Sequence, residues 1–292
     1  MPGIGKEINL IDGTDLNIIS DIKYAYQKAS IVEKIIYINV LLFLFTALFT
    51  SFMVNWFALP SQLEGFFTKP WTLFSYAFIH QRLFHVLSNL LILYYVGNLF
   101  LDFYTKKQFL NFYFLGVFVG AVVFLSFHYA LNKTGAPLGG ASAAVSTIFV
   151  AIATRIPRYA LRLRFIGSVE LWVLAAIWVV LSILQLANPD NGGAIAHLAG
   201  ALFGYLYATQ LAKGNDIGLW FEKTVTFISN LFTSKKKDPL KTVYKSKSRK
   251  SATAVSKSKQ RKIDDILDKI SKSGYESLSE EEKDYLFRAG KK

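Results

Sequence analysis

The chain alternates long apolar runs with short polar connections, and the first run, from Ile35 to Leu59, holds 25 residues without a charge. A helix that crosses a bilayer needs roughly 20 mostly apolar residues, because lipid offers the backbone no hydrogen-bond partner and a helix satisfies its own groups. Six stretches fit: Ile35 to Leu59, about His85 to Tyr104, Gln108 to Leu131, Gly139 to Ala153, Val169 to Ala187 and Gly193 to Leu211. The pattern predicts an all-α, polytopic membrane protein built as a six-transmembrane-helix bundle over residues 35–212. The fourth stretch is short and rich in Ala, so it spans only where other helices shelter it, and we place it centrally. The first exceeds the roughly 7–15 residue apolar core of a signal peptide and is followed by no small-residue cleavage pattern, so it reads as an uncleaved span. Ahead of it, residues 1–34 form an N-terminal segment in which Leu16 to Lys34 reads as a helix lying along the bilayer surface.

Beyond Lys213 the pattern changes. Residues 213–262 carry no apolar periodicity, and between Thr233 and Lys262 twelve Lys and Arg face one Asp. No core forms from that composition, so the segment reads as a disordered linker. Over residues 263–292, Ile263, Ile266, Leu267 and Ile270 recur at helical spacing and Gly274 punctuates. Ser279 followed by Glu282 is a capping-box pattern, so a short C-terminal helical pair is expected.

Composition sharpens this division. Lys and Arg number 33 against 20 Asp and Glu, a net charge of +13, in a chain that is 52% hydrophobic. Of that charge, +9 belongs to residues 213–292, so apolarity and basicity occupy different segments. Lys106, Lys107, Arg155, Arg158, Arg162 and Arg164 cluster in alternate connections, whereas the opposite ones carry only Lys69, Arg82 and Lys133. By the positive-inside rule both termini are cytoplasmic in an inner or plasma membrane, and the basic tail meets anionic lipid. Nucleic acid is not expected as a partner, since the charge run has neither aromatic interleaving nor a fold. Cys is absent, which excludes disulfides, iron–sulfur clusters and Cys-based zinc sites.

Polar groups within spans are costly and mark functional sites by default. His85 with Asn89, Ser142 and His197 each lie within about two turns of the start of the second, fourth and sixth spans, which all enter from the external side. At about 1.5 Å rise per residue they share one depth, a little below that surface. Ala196, Gly200 and Gly204 form a small-residue face beside His197 that lets backbones approach closely. A serine within reach of an imidazole is the requirement for an activated hydroxyl nucleophile. His85 and Asn89, four apart on one helix face, can both donate to an oxyanion beside Ser142.

At these residues the chain resembles the rhomboid family of intramembrane serine proteases. HVLSN (His85 to Asn89), GAS (Gly140 to Ser142) and AHLAGALFG (Ala196 to Gly204) correspond to the family's motifs in spans two, four and six. The resemblance implies a dyad, without carboxylate, metal or cofactor, in which Ser142 attacks a peptide carbonyl and His197 moves the proton. The Ser142 N–H, His85 and Asn89 would stabilise the oxyanion, Gly140, Gly200 and Gly204 would pack helices, and single-span membrane proteins would be the substrates. The chain departs from the family pattern at Ala143, where Gly is usual, and at Ser146, where many members place an aromatic ring against the dyad histidine. Its first external loop has Pro70-Trp71 in place of a Trp-Arg pair.

Other readings stand beside this one. Ser142 can be a small packing residue, His197 a structural hydrogen-bonding residue and His85 a helix cap. His80, His85 and His197 with a carboxylate can be imagined as a metal site, but no His-Glu-xx-His motif exists. An aspartyl protease needs two buried Asp, and the spans offer only Asp102, at a boundary. The alternative from another class is a catalytically inactive rhomboid-like protein that binds membrane clients for trafficking or quality control.

Overall fold

The computed structural model describes residues 18–163, 167–187, 192–232 and 249–290. A short helix, α1 (Ile18–Lys28), lies within the segment expected along the membrane surface. Ser30 then opens α2 (Ile31–Leu48) with a reciprocal cap: Glu33 N–H donates to Ser30 Oγ at 3.2 Å, and Ser30 N–H donates to Glu33 Oε2 at 2.6 Å. Two otherwise orphaned helix-terminal donors are thereby satisfied.

The expected first span, Ile35 to Leu59, is two helices and not one. α2 ends at Phe49 (φ −127°, ψ 49°), and α3 (Thr50–Phe57) follows. Thr46 and Thr50 flank the break, their hydroxyls donating to the carbonyls of Leu42 and Thr46 at 2.7 and 2.8 Å. Such back-bonding bends helices, and hydropathy alone does not register it.

The loop after α3 holds α4 (Leu63–Thr68), α5 (Thr72–Ser75) and a 3₁₀ turn at Tyr76–Phe78. Trp71 stacks on Trp56, with ring centroids 6.3 Å apart and planes 9° apart, and its Nε1 donates to the Trp56 carbonyl at 2.8 Å. The loop is therefore anchored by the Pro70-Trp71 sequence that departs from the family pattern. Its inner end is buried at Tyr76, whose hydroxyl donates to the Val117 carbonyl at 2.8 Å.

Four helices follow the expected spans closely: α6 (Leu83–Leu101), α7 (Lys106–Ala130), α8 (Ser142–Arg155) and, after a hairpin, α9 (Leu171–Gln185). The hairpin, β1 (Ala160–Leu163) and β2 (Gly167–Glu170), pairs antiparallel from Ala160 opposite Glu170 to Leu163 opposite Gly167, within a connection recognised only by its arginines. The sixth stretch is α10 (Gly192–Ala212). As expected, α8 is central: eleven of its 14 residues are buried.

The outer helices show apolar side chains to their surroundings, with Leu48 76% and Phe84 86% exposed. Exposed apolar surface of this extent needs lipid in place of water. α2, α6 and α7 are each long and apolar enough to cross a membrane, while α8 and α9 are shorter apolar helices. The protein is an all-α polytopic membrane bundle.

One segment differs from the reading by composition. Residues 219–232, expected within a disordered linker, form helix α11 (Leu219–Phe232). Averaging over 213–262 hid a local run in which only Glu222 and Lys223 are charged. Phe221 packs on the core beside Phe114, and Lys107 at the start of α7 pairs with Glu222. Residues 233–248, the first part of the basic run, lie outside the described residues.

The chain divides into two compact units, residues 1–233 and 234–292. In the second, α12 (Arg249–Ser273) begins well before the expected Ile263 and ends at Gly274 (φ +78°), followed by a 3₁₀ turn at Tyr275–Ser277 and α13 (Glu280–Gly290). The Ser279–Glu282 capping box is present, with bonds of 2.8 and 3.3 Å. Lys269 Nζ bridges to Glu282 at 2.8 Å across the pair, which buries Ile266 and Leu278. These contacts hold the helical pair together as a unit.

Candidate active site

Four glycines determine how closely the helices around α8 approach. An ideal Cβ on Gly200 falls 2.2 Å from the carbonyl oxygen of Ala143, and one on Gly204 falls 2.3 Å from that of Thr147. On α7, a Cβ at Gly116 falls 2.2 Å from Thr147 Oγ1, and one at Gly120 falls 2.7 Å from the Cβ of Ala143. Backbone therefore touches backbone between α8 and α10, while the α7 glycines admit the side chains of Thr147 and Ala143, which is the use of small residues where lipid removes the hydrophobic driving force between helices. Gly116 and Gly120 did not stand out in the sequence, although their four-residue spacing in GVFVG is the signal that marks them.

The two contact pairs on α10, Gly200 with Ala143 and Gly204 with Thr147, advance by four residues on both helices. α8 and α10 therefore run parallel with one constant offset. In that register His197 stands level with Gly140, two residues or about 3 Å of helix rise from Ser142. The small-residue face thus brings the serine and histidine to within about 3 Å of one level. Thr147 bolts the pair, its hydroxyl lying 2.9 Å from the Ala143 carbonyl and 3.0 Å from the Gly200 carbonyl. Thr147→Val keeps the shape and removes the interhelical bond. Its expected cost is about 0.6–1.7 kcal/mol, the range for such bonds inside membranes, read as a lower unfolding temperature in detergent.

Ser142 is the first residue of α8 and only 5% exposed. The first backbone bond of that helix runs from Val145 N–H to the Ala141 carbonyl, so the N–H groups of Ser142, Ala143 and Ala144 lie ahead of it. Helix-start donors of this kind carry partial positive charge and suit a developing oxyanion.

The preceding chain is held from three sides. Leu138 and Leu59 exchange both backbone hydrogen bonds, at 2.8 and 2.9 Å, and Gly140 N–H donates to the Tyr76 carbonyl at 2.9 Å. Ala141 N–H donates to His80 Nε2 at 3.2 Å. Gly140 has φ +119°, a conformation that side-chain-bearing residues rarely adopt, and a Cβ there would lie 2.6 Å from His85 Cε1. Glycine at this position lets the chain turn and lets the imidazole of His85 lie against it. His85 is therefore beside the loop that leads into Ser142. Asn89, four residues further along α6, is buried, and its Nδ2 donates to the His85 carbonyl at 2.9 Å, which orients the amide and leaves it a second N–H.

His80 was read only as a possible metal ligand, and its observed partner is the backbone. To accept from Ala141 it must carry its proton on Nδ1. Burial, and then the neighbouring His85, lower its pKa to about 4, so it is a neutral acceptor at physiological pH. Because the folded value lies below the ordinary 6.5 of the unfolded chain, stability is unaffected above that value and falls as pH drops from 6.5 towards 4. We expect His80→Gln, which can still accept from Ala141 but does not titrate, to remove this part of the acid sensitivity. His80→Phe should lower stability at all pH values by about 1–3 kcal/mol, the cost of an unpaired buried donor. Unfolding temperatures measured between pH 4 and 7.5 check both. Among the described residues, no group of three or more His, Cys, Asp or Glu is arranged to hold a metal ion.

His197 is partly buried and stacks on Trp178 of α9, with ring centroids 5.9 Å and planes 27° apart. Among the described residues nothing hydrogen-bonds its Nδ1. Trp178 also escaped the sequence reading, because a tryptophan in an apolar span looks like any other lipid-facing ring.

A Rhomboid domain model matches residues 68–214, and a second model, a family of unknown function, matches residues 255–292. No curated protein matches the chain. The first match spans the motif-bearing helices and half of the sequence, and the chain belongs to the rhomboid family, whose members are generally intramembrane serine proteases.

Proposed function

We propose that the protein is an intramembrane serine endopeptidase acting through a Ser142–His197 dyad. The observation that supports this reading is the common register of α8 and α10, in which a serine at a helix start lies within about 3 Å of helix rise of a histidine on the neighbouring parallel helix. In the reaction, His197 accepts the hydroxyl proton as Ser142 Oγ bonds to the scissile carbonyl carbon. The resulting oxyanion takes hydrogen bonds from the Ser142 N–H, His85 and Asn89. Collapse breaks the C–N bond as His197 returns the proton to the leaving amine, and water then repeats the sequence on the acyl-enzyme.

The substrates are single-span membrane proteins, cut in or near the bilayer. The site opens to the external side and both termini are cytoplasmic. The Lys107–Glu222 pair supports this arrangement, since it ties the post-bundle helix to the basic end of α7. The basic tail beyond Thr233 meets anionic lipid on the same side. The test is labelling of the full chain in detergent by a fluorophosphonate probe. Wild type should label, and Ser142→Ala and His197→Ala should not. A folded wild type that fails to label overturns the protease reading in favour of a non-catalytic client-binding member.

A further inference from the structure

Resting on that reading, we infer that Trp178 is the positioning residue that orients His197, and that Ser146 holds the indole in place. A base in a dyad faces a specific difficulty: in a triad, a carboxylate on Nδ1 selects the tautomer and the ring orientation. Here, among the described residues, Nδ1 of His197 has no hydrogen-bond partner. Nδ1 therefore supplies no orienting bond, and the ring stacked beside the imidazole is the indole of Trp178, its centroid 5.9 Å away.

The indole is itself fixed. Its Nε1 donates to Ser146 Oγ at 2.8 Å, and Ser146 Oγ donates to the carbonyl of Ser142 at 2.7 Å. One connected path therefore runs from the nucleophile's own backbone, through a fully buried hydroxyl, to the ring stacked on the base. Phe149, also on α8, meets the indole edge-on at 6.2 Å and 62°. With the donor bound and one edge packed, neither side-chain torsion of Trp178 is free.

This arrangement accounts for the departure at position 146. A serine is small enough to admit the indole from α9, and its hydroxyl supplies the acceptor. The ring expected from α8 is delivered by the neighbouring helix instead. The face of an indole also attracts a cation, so the stack favours the imidazolium that His197 becomes when it takes the serine proton.

The experiment compares wild type with Trp178→Leu, Trp178→Phe and Ser146→Ala as full-length proteins in detergent. Probe-labelling rate is followed from pH 5 to 9, and unfolding temperature checks the fold. Trp178→Leu should label about 10²-fold more slowly, the cost of misplacing a reacting group by about 1 Å, and the acid limb of its pH profile should move. Trp178→Phe keeps a ring and should recover most of the rate and the wild-type profile, whereas Ser146→Ala should fall between them.

A second readout needs no activity. Imidazolium in contact with indole quenches its emission, so wild-type fluorescence should contain a pH-dependent component that both His197→Ala and Trp178→Phe abolish. A pH-dependent change as large in either variant as in the wild type overturns the contact. A labelling wild type whose Trp178→Leu variant keeps its rate and pH profile overturns the inference alone. A wild type that does not label overturns the protease reading, and the catalytic role of Trp178 with it.

Discussion

Ser142→Ala and His197→Ala should each lower the rate of peptide-bond cleavage by at least about 10³-fold, and the double variant should be no slower than either single one. The reason is that, in the proposed dyad, the two side chains carry out one event. Without the hydroxyl, His197 has no proton to accept; without the imidazole, Ser142 is a neutral alcohol and a weak nucleophile. Groups that act as a unit are strongly non-additive. On the proposed mechanism, what remains in all three variants is the contribution of the helix-start N–H donors with His85 and Asn89, together with substrate binding. Cleavage of a single-span substrate reconstituted in vesicles measures this, and additive losses in the double variant would show that the two residues act in separate steps.

Gly200→Ala should be the most damaging substitution of a single methyl group in the bundle. In an ordinary helix interior that change stabilises by about 0.8–1 kcal/mol, because Gly has the greater backbone freedom to lose. Here the new Cβ would lie 2.2 Å from a backbone carbonyl oxygen that no rotamer change can move. α10 must shift away from α8, which weakens the Thr147 bond to the Gly200 carbonyl and carries His197, three residues earlier, away from Ser142. Overpacking of this kind costs typically 1–3 kcal/mol, and a displacement of about 1 Å at the base costs about 10²-fold in rate. Both the unfolding temperature and the labelling rate should fall. Leu202→Ala, on the exposed side of the same helix, should change each by little. An unchanged labelling rate in Gly200→Ala would show that the approach of α8 and α10 does not set the geometry of the site.

The motifs that carry the site were legible because each depends on a local property. His85 and Asn89 are read from a four-residue interval, Gly200 and Gly204 from another, and Ser142 from a Gly-Ala-Ser run opening an Ala-rich helix. The C-terminal pair was legible for the same reason, since Ser279, Glu282 and Gly274 are punctuation whose meaning is settled within four residues. α11 was missed because charge averaged over 50 residues conceals a 14-residue amphipathic stretch. The break at Phe49 was missed because Thr46 and Thr50 are hydropathically ordinary, and only their hydroxyl bonds bend the helix.

By itself, then, the sequence determined the six apolar stretches, the connections in which positive charge accumulates and the identity of the polar residues placed near the start of three of those stretches. These follow from lipid's inability to hydrogen-bond and from helical periodicity, both of which act along the chain. Only the tertiary structure decided that α8 and α10 share a parallel register, that His80 holds the loop before Ser142 through Ala141, and that Trp178 from α9 stacks on His197 where position 146 offers only a hydroxyl. Those contacts join residues from about 20 to 60 positions apart, and their geometry depends on how closely glycines let backbones approach, a distance that no local pattern encodes.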